Sequence, residues 1–133
     1  MKTHKAKWWE LNFPDAWESA STRDDVRFKL ASGTEVIITS LCKQQGDVLP
    51  TDMRNYAHHV LVSGAEEQSA KIGIFRGISV RVPDGYAESM YLCHASLMLV
   101  ILCNYERRQK DQDQKDIYAT LSGIRPLKSD GKP

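Results

Sequence analysis

The sequence is poor in the residues that usually announce chemistry. It has three cysteines, Cys42, Cys93 and Cys103, with no Cys-x-x-Cys pair and no histidine at ligand spacing beside them. An odd count without that spacing excludes a disulfide framework and a zinc site of the usual kind. The thiols read as small buried hydrophobes in a reducing compartment. Cys93-His94 is the one pair that suggests a reactive thiol, but neighbours on a strand point to opposite faces. Long apolar runs are also missing. The longest, Leu97 to Cys103, falls far short of the ~20 residues of a membrane span. The charged start, Met1 to Lys7, leads into Trp8-Trp9-Glu10 and not into the apolar core of a secretory signal. A cytoplasmic protein is therefore expected. An excess of one charge is absent too: 18 Lys and Arg face 17 Asp and Glu. A chain that lives by holding nucleic acid normally shows a clear basic surplus.

Catalytic patterns are equally scarce. His58-His59 on a helix would point about 100° apart and could not grip one metal from one face. His94, Asp84 and Ser96 make a triad only on paper, because no Gly-x-Ser-x-Gly elbow accompanies them. Glu66-Glu67 reads as a polar helix end or loop, and Asp111, Asp113 and Asp116 as a solvated loop and helix start. Neither set resembles a calcium loop. Gly73 and Gly77 lack the Gly-Lys-Ser/Thr that completes a phosphate loop. Arg76, Arg81, Arg107 and Arg108 are interspersed with acids and read as a solvated face. Neither a metal nor a cofactor is expected.

What is present is one globular domain. Its 133 residues, 41% hydrophobic and 26% charged, suit a single core. Trp9, Leu11 and Phe13 alternate with polar residues and predict a first strand facing inward. Val26, Phe28 and Leu30 predict another, Ser32-Gly33 a turn, and Glu35 to Cys42 the strand after it. Thr51 is a candidate N-cap for a helix whose apolar stripe is Met53, Tyr56, Ala57, Val60 and Leu61. Lys71 to Val82 reads as one strand containing Gly73 and Gly77. Pro83-Asp84-Gly85 turns the chain into a strand from Tyr86 to His94. Leu97 to Cys103 is apolar at every position, the mark of a central strand covered on both faces. Asn104 to Gln114 reads as loop. A second helix carries Ile117 and Leu121, and Lys128 to Pro133 reads as a disordered tail. The domain is thus expected over residues 1–127. Its class is α+β: an antiparallel β-sheet with helices packed on both faces, an α/β/α sandwich.

The order of elements, with Phe13-Pro14-Asp15-Ala16-Trp17 early, Ile74-Phe75-Arg76-Gly77 before the paired strands, Asn104-Tyr105 after them and Leu121-Ser122-Gly123-Ile124 at the end, resembles the PsbP-like proteins. That group includes extrinsic photosystem II proteins, a Ran-binding nuclear import factor and short stand-alone bacterial proteins. The likeness covers roughly residues 8 to 127. Ala16 stands where glycine is frequent, and Cys103-Asn104-Tyr105 where "Thr-Tyr-Asn"-like residues are common. The resemblance implies a binding scaffold, and some short bacterial members resemble immunity proteins. The expectation is a non-enzymatic protein-binding domain that neutralises a cognate toxin by direct contact. Its contact surface is expected on the hairpin around Asp84, Tyr86 and Glu88. Two other readings stand beside it. One is a small-molecule or lipid carrier with a pocket lined by Met53, Tyr56, Met90 and Met98. The other is an assembly factor or chaperone for a larger complex.

Overall fold

The computed structural model describes residues 1–22, 25–61, 64–82 and 85–127, with His59 described by its backbone alone. The expected tail, from Lys128 to Pro133, lies outside the described residues. The elements run β1 (Lys2–Lys5), β2 (Trp9–Phe13), β3 (Glu18–Ser21), β4 (Asp25–Lys29), β5 (Glu35–Cys42), α1 (Pro50–Leu61), β6 (Glu66–Ile72), β7 (Phe75–Arg81), β8 (Ala87–His94), β9 (Leu97–Asn104), α2 (Lys110–Leu121) and β10 (Arg125–Pro126). One 3₁₀ turn, Arg107–Gln109, leads into α2. The class is α+β, mostly antiparallel strands with two helices. No helix among the described residues is long and apolar enough to cross a membrane.

Seven strands pair antiparallel in the order β3-β4-β5-β9-β8-β7-β6. The apolar run occupies β9, in the middle, paired along its whole length with β5 and β8. Strand parity sorts its side chains between two cores. Leu97, Leu99, Ile101 and Cys103 join Met90, Leu92, Val36 and Ile38 in a large cluster with Trp9, Leu11 and Phe13 of β2 and Ile117 and Leu121 of α2. Met98 joins Ile78, Val80 and Tyr91 in a smaller one with Val48 and with Met53 and Ala57 of α1. Cover on the α1 side stops short of the strand end, where Leu102 is 37% exposed.

Several local expectations are revised. Strand β2 does not enter the large sheet; with β1 and β10 it forms a separate three-stranded sheet. Helix α1 starts at Pro50, before Thr51. Proline suits a first helical position because that N–H has no helical partner. Asp52 then reaches back to accept the Leu49 N–H at 2.8 Å and takes Lys43 Nζ at 2.9 Å. The Leu49 bond and the lysine hold the Asp52 carboxyl below its usual range. Within the stripe Met53 and Ala57 are buried, while Tyr56 turns out to solvent. The stretch from Lys71 to Val82 is not one strand but holds the end of β6, a two-residue turn and the whole of β7, with Gly73 at φ 59° in first central position of that turn. Primed two-residue turns demand a positive φ there. A Cβ at Gly73 would also lie 2.5 Å from the Ser122 carbonyl oxygen. At Gly77 a Cβ would lie 1.9 Å from the Tyr91 carbonyl oxygen and 2.8 Å from Met53 Sδ, so the Phe75-Arg76-Gly77 motif marks a point where only glycine fits.

Candidate functional site

The polar chemistry of the fold gathers where β7, β8, the end of β9 and α2 meet. Glu88 lies on the inward face of β8, in step with Met90 and Leu92, and is 3% exposed. Its Oε2 accepts hydrogen bonds from Ser79 Oγ at 2.6 Å, Tyr118 OH at 2.5 Å and Arg81 Nε at 3.2 Å. Its Oε1 accepts from Tyr105 OH at 2.8 Å and Gln114 Nε2 at 3.4 Å. Burial alone pushes such a carboxyl up. Here the Ser79, Tyr118 and Tyr105 hydroxyls and the Arg81 charge together outweigh burial, and Glu88 is held below its ordinary value. Burial, with the same carboxylate beside them, raises Tyr105 and Tyr118 far above the usual phenol range, so both remain donors.

A second buried carboxylate anchors the far end of the region. Asp113 of α2 is 6% exposed and accepts from Ser32 Oγ and Thr34 Oγ1, each at 2.6 Å. The Thr34 oxygen in turn accepts the Glu106 N–H at 2.8 Å. The turn after β4 is thereby fixed to the entry of α2. Asp113 is not the solvated loop acid that the sequence suggests, because its partners lie some eighty positions away in the chain and are invisible locally.

Outside this network, Tyr86, Arg107, Arg108, Lys110, Asp111, Gln112 and Lys115 line a surface concavity of about 500 Å³. The Arg107 guanidinium sits 4.9 Å from the Tyr86 ring centre, and Lys110 Nζ 5.9 Å from it. A larger cleft, about 590 Å³, opens between the three-stranded sheet and β4–β5, with His4, Trp8, Trp9, Asp25 and Ser40 on its walls. Partial burial lowers the His4 pKa, so its ring is neutral at neutral pH.

The contact residues expected from sequence are thus separated. Asp84 lies outside the described residues. Tyr86 is half-buried at the concavity. Glu88 is corrected from a surface contact to a buried anchor, because strand parity turns it inward. That parity, Glu88-Met90-Leu92, was the available signal. Of the two histidines on α1, His58 is exposed, and the side chain of His59 lies outside the described residues. His94 packs edge-on against Phe75 at 5.9 Å and Ser96 Oγ lies 3.7 Å from Cys42 Sγ, while the third residue of the paper triad, Asp84, lies outside the described residues. Burial, and then Asp47 and Asp52, raise the Cys93 thiol. Burial, and then Glu88, push Cys103 up to about 12. Thiols so placed stay protonated at neutral pH. Among the described residues no group of three His, Cys, Asp or Glu could hold a metal ion. The carrier's expected lining is split as well, since Met90 belongs to one core and Met53 and Met98 to the other.

No protein-family model matches the sequence. No curated protein matches it either. Among solved structures, the fold is similar to that of a Bacteroides thetaiotaomicron VPI-5482 protein whose crystal structure is at 1.50 Å resolution, with a TM-score of 0.66 and 10% identity. The match covers 96% of this chain and 49% of that one, so this chain spans about half the length of the protein it resembles. At that identity the likeness shows the fold alone.

Proposed function

We propose that the chain is a non-enzymatic protein-binding domain of the PsbP-like kind, a bacterial immunity protein that neutralises a cognate toxin domain by direct contact in the cytoplasm. In this reading the large sheet carries a helix on each face. Supporting that layering, α1 and α2 contribute to clusters of opposite strand parity. The observation that carries the functional reading is the way the buried carboxylates are used. Glu88 has both oxygens, and Asp113 its Oδ2, bound by donors of the scaffold, from residues up to 81 positions apart. Among the described residues every buried side-chain nitrogen and oxygen has a partner. A carboxylate so bound stiffens a framework; a general acid or base instead needs a lone pair or proton facing substrate. A rigid framework presents its outer corners with little ordering cost on association.

The test is co-expression with the product of the adjacent gene, followed by size-exclusion chromatography and a toxicity assay. A stable complex that abolishes toxicity is expected. Free elution of both proteins, with a neighbour that is not toxic, sinks the immunity reading. The cleft of about 590 Å³ beside Trp8 and Trp9 favours a small-molecule carrier as the second reading. Saturable quenching of tryptophan fluorescence by a metabolite mixture, lost in Trp8→Ala, is its signature.

A further inference from the structure

Residues 106–116 are electrically neutral as written. Glu106, Asp111, Asp113 and Asp116 balance Arg107, Arg108, Lys110 and Lys115. Folding separates the two signs. Asp113 turns inward to Ser32 and Thr34. Glu106 caps the 3₁₀ turn, its Oε2 accepting the Arg108 N–H at 2.9 Å. Asp116 accepts the Gln112 side-chain amide at 3.0 Å. Of the four acids, Asp111 alone lines the concavity with the four cations. None of those cations forms an ion pair among the described residues.

Two of the cations are also held in place. Arg107 and Lys110 both lie over the Tyr86 ring, whose negative face attracts a cation. Lys110 Nζ also lies close to Gly85, 3.3 Å from where a Cβ would stand. Fixed cations lose less freedom when they meet an anion than free ones do.

We propose that this concavity is the contact face for an acidic loop of a partner protein, whose carboxylates enter between Tyr86, Arg107 and Lys110. The inference rests on the protein-binding reading and names the chemistry of the partner. Arginine and tyrosine are the residue types that dominate binding energy at protein interfaces. An arginine fork matches a carboxylate with two parallel hydrogen bonds. A compact hollow lined by four cations and one acid, Asp111, suits a few carboxylates better than it suits a nucleic-acid backbone, which needs an extended basic track.

The experiment is a titration of the ¹⁵N-labelled full chain with hexaglutamate peptide at low salt. Amide shifts are expected at residues 85–87 and 106–115. Affinity should fall roughly fivefold when salt rises from ~50 to ~200 mM, as screening shortens the reach of surface charges. The double variant Arg107→Glu, Lys110→Glu should bind at least about tenfold more weakly with an unchanged circular dichroism spectrum. Lys71→Glu, on the exposed edge strand β6, should bind as the wild type does. Shifts that map elsewhere, or unaltered affinity in the double variant, overturn the proposal. So does an equal response to inorganic phosphate, which marks a small-anion site, or tighter binding of a thymidine hexamer, which marks a nucleic-acid surface. Should the neighbour's product bind and survive the double reversal, this inference fails and the protein-binding reading stands. Should peptide binding map here while the neighbour's product does not bind, the immunity reading fails and this inference stands.

Discussion

Replacing Glu88 by glutamine keeps the side-chain shape and removes the charge. At present the carboxylate accepts from three hydroxyls, at 2.6, 2.8 and 2.5 Å, and from Arg81 at 3.2 Å. A hydrogen bond to a charged group contributes about 1.5–3 kcal/mol, against about 0.5–1.5 for a neutral pair. Each hydroxyl bond then loses about 1 kcal/mol, and the amide nitrogen faces donors on one side. Arg81 is 36% exposed, so water takes up part of its lost partner and its share is discounted. The expected cost of Glu88→Gln at pH 7 is therefore about 2–4 kcal/mol. Urea unfolding followed by tryptophan emission reads it out, because Trp9 and Trp17 are buried at 1% and 4% exposure. The pH dependence has a definite sign. The folded carboxyl is held below its ordinary value, so its contribution is complete above the unfolded pKa of about 4.3 and is lost as pH falls through the folded value. Wild type and variant should converge in acid. A cost under about 0.5 kcal/mol at pH 7, or a gap that does not narrow as the solution is acidified, refutes the view that this charge holds the corner together.

Other consequences are as concrete. Gly77→Ala places a Cβ 1.9 Å from the Tyr91 carbonyl oxygen and should cost about 3 kcal/mol or more in the same urea assay, since backbone has to move. Thr34→Val removes an oxygen that both donates to Asp113 and accepts from the Glu106 N–H; leaving a buried carboxylate and a part-buried amide short should lower stability by about 2 kcal/mol. Ala95 sits at φ 53° in the β8–β9 turn. Relief of a left-handed alanine is worth about 1–2 kcal/mol and added glycine entropy costs about 0.5–1, so Ala95→Gly should raise stability by about 0.5 kcal/mol in thermal unfolding.

The strands that face a core on one side were legible because alternation survives in the sequence. Trp9-Leu11-Phe13 and Val26-Phe28-Leu30 announce their burial directly. Leu97 to Cys103 announced the centre of the sheet. Strand β6, reading Glu66-Glu67-Gln68-Ser69-Ala70-Lys71-Ile72, did not, because it is an edge strand exposed along most of its length. Edges are kept polar and charged against stray pairing, and that removes the period on which recognition depends. Strand β1 hides for the same reason. The candidate site was hardest to see. Glu88 and Asp113 look like surface acids until the partners that bury them arrive from other elements. Tyr86 was placed in it from the turn signal before it, whereas the cations at 107–115 read as an ordinary solvated stretch.

The two cores differ in size: among the described residues 21 side chains make up the larger and seven the smaller. Neighbouring positions on β9 answer to different cores, so the sheet acts as a partition between two packing problems. A change at Met98 is felt by Met53, Ala57 and Val80; a change at Leu99 is felt by Leu92 and the other members of the larger cluster. A core of seven can be repacked one position at a time, with volume-conserving swaps tolerated best. The α1 side can therefore be rebuilt over evolutionary time while the Glu88 corner, on the other side of the wall, keeps its shape.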